Sequence, residues 1–240
     1  MSSHLSKYWK IFIISGSAVL LIAIIVVAGL VFFTPKQPFL AKGWKAKSFT
    51  LVNENNQTVT LNNYSGKVLI MDFIYTHCPN LNGTLGECST ETLKMNTLLA
   101  DLLNMGYNAN QFHLISISFD WKFDNVTTMR AYGMDRAEGQ FKYWSFLSGN
   151  EQQVNNVTSG YYITAYYENQ TNSSTPIQTT TPPANNQVEY MGHSIIVYLI
   201  DKHGYIRFQK DSQGTLETIS GTNWLASDVA KLVSVLINEK

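Results

Sequence analysis

Apolar and polar positions divide this chain into two unlike parts. From Ile11 to Phe33, IFIISGSAVLLIAIIVVAGLVFF runs 23 residues without a charge. At 1.5 Å rise per residue a helix of that length crosses a bilayer. It exceeds the roughly 7–15 apolar residues of a cleaved signal peptide, and no small-x-small site precedes Pro35, so a retained anchor is expected. Beyond it, short apolar runs alternate with polar punctuation. Phe49, Leu51 and Val59, Leu61 flank NENNQ and predict a hairpin. Val68 to Tyr75 is nearly continuous apolar sequence, the pattern of a central strand covered on both faces. After Cys88, Leu93, Leu98, Leu99, Leu102 and Leu103 predict a helix with one buried stripe, ending at Met105-Gly106.

Phe112 to Asp120 (FHLISISFD) reads as a second buried strand, Val126 to Tyr132 as the start of a helix, and Tyr143 to Gly149 as a strand and turn. Glu168 to Gln187 has no periodicity and is rich in Thr, Asn and Pro, which predicts an exposed, mobile loop. HSIIVYLIDKHGYIRF reads as a hairpin. Trp224 to Ile237 closes the chain as an amphipathic helix through Leu225, Val229, Leu232, Val233 and Leu236. Alternating strands and helices argue for an α/β layered domain. A strand running into a cysteine-bearing loop and then a helix is the thioredoxin arrangement. The expected organisation is a short cytoplasmic N-terminus (1–10), a transmembrane helix (11–33), a linker (34–46) and a thioredoxin-like domain (47–240). Its central mixed sheet is flanked by helices and begins with a hairpin, and an exposed loop is expected at 168–187.

Composition sharpens where the domain faces. Net charge is zero and only 14% of residues are charged, against roughly 25% in average soluble proteins. No basic run with interleaved aromatics points to nucleic acid. Seven N-x-S/T sequons follow the apolar run, at Asn56, Asn63, Asn82, Asn125, Asn156, Asn169 and Asn172. Such sites matter only outside the cytoplasm. Lysines after the run (Lys36, Lys42, Lys45, Lys47) outnumber those before it (Lys7, Lys10), against the positive-inside bias. A long following domain is translocated despite its charges, and only ten residues precede the run. The expectation is a single-pass protein, N-terminus inside, domain on the extracytoplasmic side.

The two cysteines, Cys78 and Cys88, are separated by nine residues, Pro79 to Glu87. In an oxidising compartment their default is one structural disulfide. They are also placed for chemistry: Cys78 ends a buried strand, and Cys88 sits at a helix start, where the dipole favours thiolate. His193 lies where the polar loop enters a buried strand. Two thiolates suit Cu(I), and an imidazole extends such a set to Cu(II). Staple, redox couple and metal site all remain open on these grounds. His77, His113 and His203 read as structural or solvated, Met191 and Tyr161, Tyr162, Tyr166 and Tyr167 as packing, and Asp120 as a turn or cap.

FTLVNENNQTVTLNNYSGKVLIMDFIYTHCP, SISFD, FLSG and HSIIVYLIDKHGYI, in this order, resemble the Sco/SenC family of copper proteins. The resemblance runs from about Lys47 to the C-terminus, after an anchor of the kind the family has. It implies copper, as Cu(I) or Cu(II), on Cys78, Cys88 and His193, with Asp120 matching an acidic residue nearby. It also implies a metallochaperone that matures the dinuclear copper site of a terminal cytochrome oxidase, the partner being the oxidase's copper-site subunit. The alternative is a thiol–disulfide oxidoreductase, with Cys78 and Cys88 reducing that partner's cysteines. The chain departs from the family's C-x-x-x-C by six extra residues, read as a loop insertion that Gly83 and Gly86 help fold back. Loop-closure cost rises only about 0.6 kcal/mol per doubling of length.

Overall fold

The computed structural model describes residues 22–25, 40–78, 86–169, 177–179, 190–210, 213 and 215–239, with backbone only for 166–169, 177–179 and 190–192. The chain divides into two units, Met1–Gln37 and Pro38–Lys240. In the first, residues 22–25 are helical. The rest of the expected transmembrane helix, 11–33, lies outside the described residues. No helix among the described residues is long and apolar enough to cross a membrane.

The second unit is built on one mixed sheet. Its strands are β1 (Ala41–Lys45), β2 (Thr50–Asn53), β3 (Thr58–Thr60), β4 (Val68–Ile74), β5 (Phe112–Ser118), β6 (Trp144–Ser148), β10 (Ile196–Ile200) and β11 (Tyr205–Lys210), in the order β1-β11-β10-β4-β5-β6-β2-β3. Two short strands, β12 (Leu216–Glu217) and β13 (Ile219–Ser220), pair with β11 and β10. β4, β5 and β6 are parallel, and β10 runs antiparallel to β4 with Tyr198 opposite Met71. Every residue of β4, β5 and β6 is buried, which is why β4 reads as a nearly continuous apolar run. A separate three-stranded sheet joins β7 (Ala165–Asn169), β8 (Ile177–Thr179) and β9 (Tyr190–His193).

Four helices cover the sheet: α1 (Glu87–Asn104), α2 (Val126–Arg136), α3 (Glu151–Gly160) and α4 (Ala226–Asn238). Asn125 opens α2 by accepting from the Thr127 and Thr128 amides. Asn150 opens α3 in a reciprocal box with Gln153. α1 starts at Gly86 with no side-chain cap, so its first-turn amides are left to other partners.

Three expectations change. Ala41–Lys45, within the stretch expected to be a linker, is a sheet strand: alternate apolar residues are too few in AKGWK for its period to show. The stretch 168–187, expected to lack structure, contains β8 and the end of β7, although 170–176 and 180–187 lie outside the described residues. Of the four tyrosines expected to pack, Tyr161 is buried but Tyr162 is 74% exposed, and Tyr166 and Tyr167 are on strand β7.

Candidate metal centre

Strand β4 carries the chain to the edge of the core, and Cys78 follows its end by four residues, half-buried. Residues 79–85, most of the inserted loop, lie outside the described residues. The chain re-enters at Gly86 and turns into α1, which places Cys88 second in the helix and 1% exposed. His193 arrives from the other side as the last residue of β9. Its backbone is held by pairing with Ala165 and by the neighbouring Ser194 amide, which donates to the Thr164 carbonyl at 2.9 Å.

Cys88 and His193 meet, with Cys78 beside them. Cys88 Sγ lies 3.3 Å from His193 Nε2. His193 Nδ1 lies 3.1 Å from the Ser194 carbonyl oxygen, which can only accept, so Nδ1 carries the ring proton. The Nε2 lone pair of the neutral ring is therefore turned toward the cysteines, the tautomer a metal-binding imidazole needs. Phe119 (4.9 Å) and Tyr75 (5.7 Å) hold the ring from two sides. Cys78 and Cys88 are not joined in this structure.

The two thiols divide one negative charge. A hydrogen bond from Cys88 pulls the Cys78 thiol down to about 4, against its own burial. Burial, then the hydrogen bond and charge of Cys78, push the Cys88 thiol well above its ordinary range. A soft cation in place of the shared proton would let both sulfurs ionise. The donor set thus fits copper: two sulfurs, one imidazole lone pair, no basic side chain among them.

Next door, His77, Asp120 and Asp124 bring one ligand-type atom each within 4.8 Å of one another. Asp124 is already committed. It accepts from the Thr76 amide (2.9 Å), the Thr76 hydroxyl and the Ser118 hydroxyl (2.6 Å), and His77 Nδ1 lies 3.6 Å away. This carboxylate clamps the cysteine-bearing loop to the end of β5, and its hydrogen bond raises the His77 pKa. Asp120 is 2% exposed and accepts from the Phe123 amide at 3.3 Å, in keeping with its reading as a turn residue.

Behind Cys88 lies a buried acidic wall that the pattern of residues did not reveal. Asp72 sits mid-strand in β4, 1% exposed, with Oδ1 accepting from Ser116 Oγ at 2.6 Å and Oδ2 unpartnered. Burial pushes its carboxyl up to about 7. Glu91, one turn after Cys88, accepts from Trp224 Nε1 with both oxygens at 3.1 Å. Burial and the charge of Asp72 raise it to about 8. The signal was present: Asp72 is the one carboxylate inside an otherwise apolar run. His113 is core, as expected, at 2.9 Å from Ser145 Oγ, and burial holds it down to about 3. His203 is exposed in the β10–β11 turn. The side chain of Met191 lies outside the described residues.

The sequence profile of the SCO1/SenC family matches residues 41–223. An SCO2-like protein of Rickettsia typhi is 24% identical over 205 residues, covering 79% of this chain and 87% of the relative. Yeast Sco1 with copper bound superposes with a TM-score of 0.59 at 19% identity, covering 82% of this chain and 91% of that one. BsSco, a member of the Sco family of cytochrome c oxidase assembly proteins in which a disulfide switch was identified, gives 0.58 at 20% identity, with 85% and 98% covered.

Proposed function

The chain belongs to the SCO1/SenC family, and on that premise we propose that it is a membrane-anchored, extracytoplasmic copper chaperone. Cys78, Cys88 and His193 hold the metal. The observation that carries this is the contact of the Cys88 thiol with Nε2 of a ring whose other nitrogen is already engaged, beside a Cys78 thiol that Cys88 holds toward its ionised form. Yeast Sco1 has been solved with copper bound, which supports copper as the cargo. Copper arrives and leaves by ligand exchange at sulfur. Cys78 offers a thiolate before loading, Cys88 gives up its proton on loading, and His193 supplies the third donor. The recipient is the copper-site subunit of a terminal cytochrome oxidase, at its dinuclear site. Ile11–Phe33 tethers the domain to the membrane with the N-terminus inside.

The test is copper stoichiometry of the full chain in detergent, reduced and loaded with Cu(I) or Cu(II), against His193→Ala and Cys88→Ser. One tightly held copper per wild-type chain and its loss from both variants is expected. Full, tight binding by His193→Ala would remove the three-donor site.

The asymmetry of the thiols favours a second reading, a thiol–disulfide oxidoreductase in which Cys78 attacks and Cys88 resolves. That activity would vanish in Cys78→Ser and survive His193→Ala, the reverse of the copper site's dependence on the histidine.

A further inference from the structure

The end of the sheet away from the cysteines carries a groove that the copper chemistry does not use. β4 starts there at Val68 and runs toward Cys78, while β10 runs the opposite way and delivers the Lys202–Gly204 turn to the same end. Lys45, the last residue of β1, pairs with Tyr205 just after that turn. These segments and the turn preceding β4 enclose a groove of ≈ 150 Å³.

The groove is apolar below and cationic at its rim. Leu61, Leu69 and Ile200 form part of the floor. Lys45, Lys67 and His203 line the rim. Among the described residues neither Lys45 nor Lys67 is in an ion pair or a side-chain hydrogen bond. Asp201 and Lys202 also line the groove, with their polar atoms engaged elsewhere. Lys202 donates to the Ile237 and Glu239 carbonyls at 3.1 and 2.6 Å. Asp201 accepts from the His203 and Tyr205 amides, both at 2.9 Å, and from Arg207 at 3.1 Å. Two ammonium groups are thus left without counter-charge over an apolar floor, in a chain whose net charge is zero.

We propose that this groove binds a phosphate diester with an uncharged substituent, the chemistry of an anionic phospholipid headgroup. Lysine is a point-charge partner for phosphate. The floor suits the uncharged portion of a diester better than a bare dianion, whose desolvation it would not offset. The volume is below the roughly 300–1,000 Å³ of sites for drug-sized ligands, so it fits a headgroup rather than a nucleotide. The lipid source rests on the anchor reading: six residues, 34–39, separate the apolar run from Leu40, and β1 then carries the chain from Ala41 to Lys45 at the groove. Soluble glycerophosphoglycerol, also a diester, shares the chemistry. A headgroup held here turns the cysteine end outward, since the seven residues of β4 alone span roughly 23 Å.

The experiment needs no copper, so its failure is separate from failure of the chaperone reading. The full chain is placed in nanodiscs of phosphatidylcholine alone or of phosphatidylcholine with phosphatidylglycerol. Acetylation rates of Lys45 and Lys67 are read by mass spectrometry, with Lys142 as internal reference. A parallel arm adds glycerophosphoglycerol or inorganic phosphate to the chain in neutral detergent. Severalfold slower acetylation of Lys45 and Lys67, but not Lys142, is expected in the anionic discs. Lys67→Gln should abolish the protection of Lys45. Protection by glycerophosphoglycerol but not by the discs would keep the site and assign it a soluble ligand, whereas protection by inorganic phosphate alone would overturn the diester. Equal rates in every arm, equal slowing of Lys142, or protection that survives Lys67→Gln would overturn the proposal.

Discussion

Cys78 and Cys88 hold one negative charge between them, and the division is testable thiol by thiol. With the Cys78 thiol near 4, iodoacetamide should modify Cys78 at a rate that stays level from pH 8 to pH 5 and falls only near pH 4. Cys88, 1% exposed and raised by burial, should stay unmodified until the chain is unfolded. Peptide mapping after a short pulse reads both, and first modification at Cys88 would reverse the assignment. Asp72 makes a second prediction, in stability. Its carboxyl is raised from 3.8 to about 7 by burial. Between these values the unfolded chain has released the proton and the folded chain has not, so stability falls as pH rises from about 4 to about 7 and then levels. The full shift corresponds to on the order of 4 kcal/mol at 1.36 kcal/mol per unit. Glu91, raised from 4.5 to about 8, adds a loss in the same direction. Asp72→Asn should flatten much of this slope and make the protein more stable than wild type at pH 8, as urea titrations at pH 5 and pH 8 would show. A variant with the wild-type slope would mean that Asp72 is ionised in the fold.

Among elements, those with long one-sided or continuous apolar patterns were legible: β4, β5, β10–β11, α1 and α4 appear within a few residues of their expected positions. β1 and β8 were not, because AKGWK and IQT carry no alternation and exist through pairing with Phe208 and Tyr167 and their neighbours. The candidate site was legible in residue type, since thiols and an imidazole stand out in a chain with two cysteines and five histidines. Its supports were not. Asp124 lies 48 residues from Thr76, and its clamp exists only once β4 and β5 are adjacent. Removing it strands the Thr76 amide and the Ser118 hydroxyl, at about 1–3 kcal/mol for each buried group left unpaired. Asp124→Ala should therefore destabilise the fold and also speed alkylation of Cys88 in the native chain. A variant that is merely less stable, with Cys88 still protected, would reduce the clamp to a packing role. Gly133 in α2 reports packing alone. A Cβ there would meet the Phe141 and Phe146 rings at 2.6–2.9 Å. Gly133→Ala should cost about 1–3 kcal/mol in thermal unfolding and leave Cys88 protected.

For the whole molecule, the extra residues between the cysteines decide how oxidation and copper compete. Both sulfurs are free and each shifts the ionisation of the other, so mild oxidation should join them. The bond would close a loop around the nine residues Pro79 to Glu87. For a loop of this size, chain entropy stabilises the folded state by about 3 kcal/mol, where the shorter family spacing would give less. The oxidised chain should unfold at higher temperature than the reduced one and take up no copper, because both sulfurs lose their thiolates. Copper added to the reduced chain should raise the unfolding temperature too, by an amount that grows with metal concentration, and should protect both thiols from oxidation. Calorimetry on reduced, oxidised and copper-loaded chains separates these states. If oxidation lowers the unfolding temperature, the long loop must be strained by bridging, and the two sulfurs are held together by the reduced fold rather than poised to join.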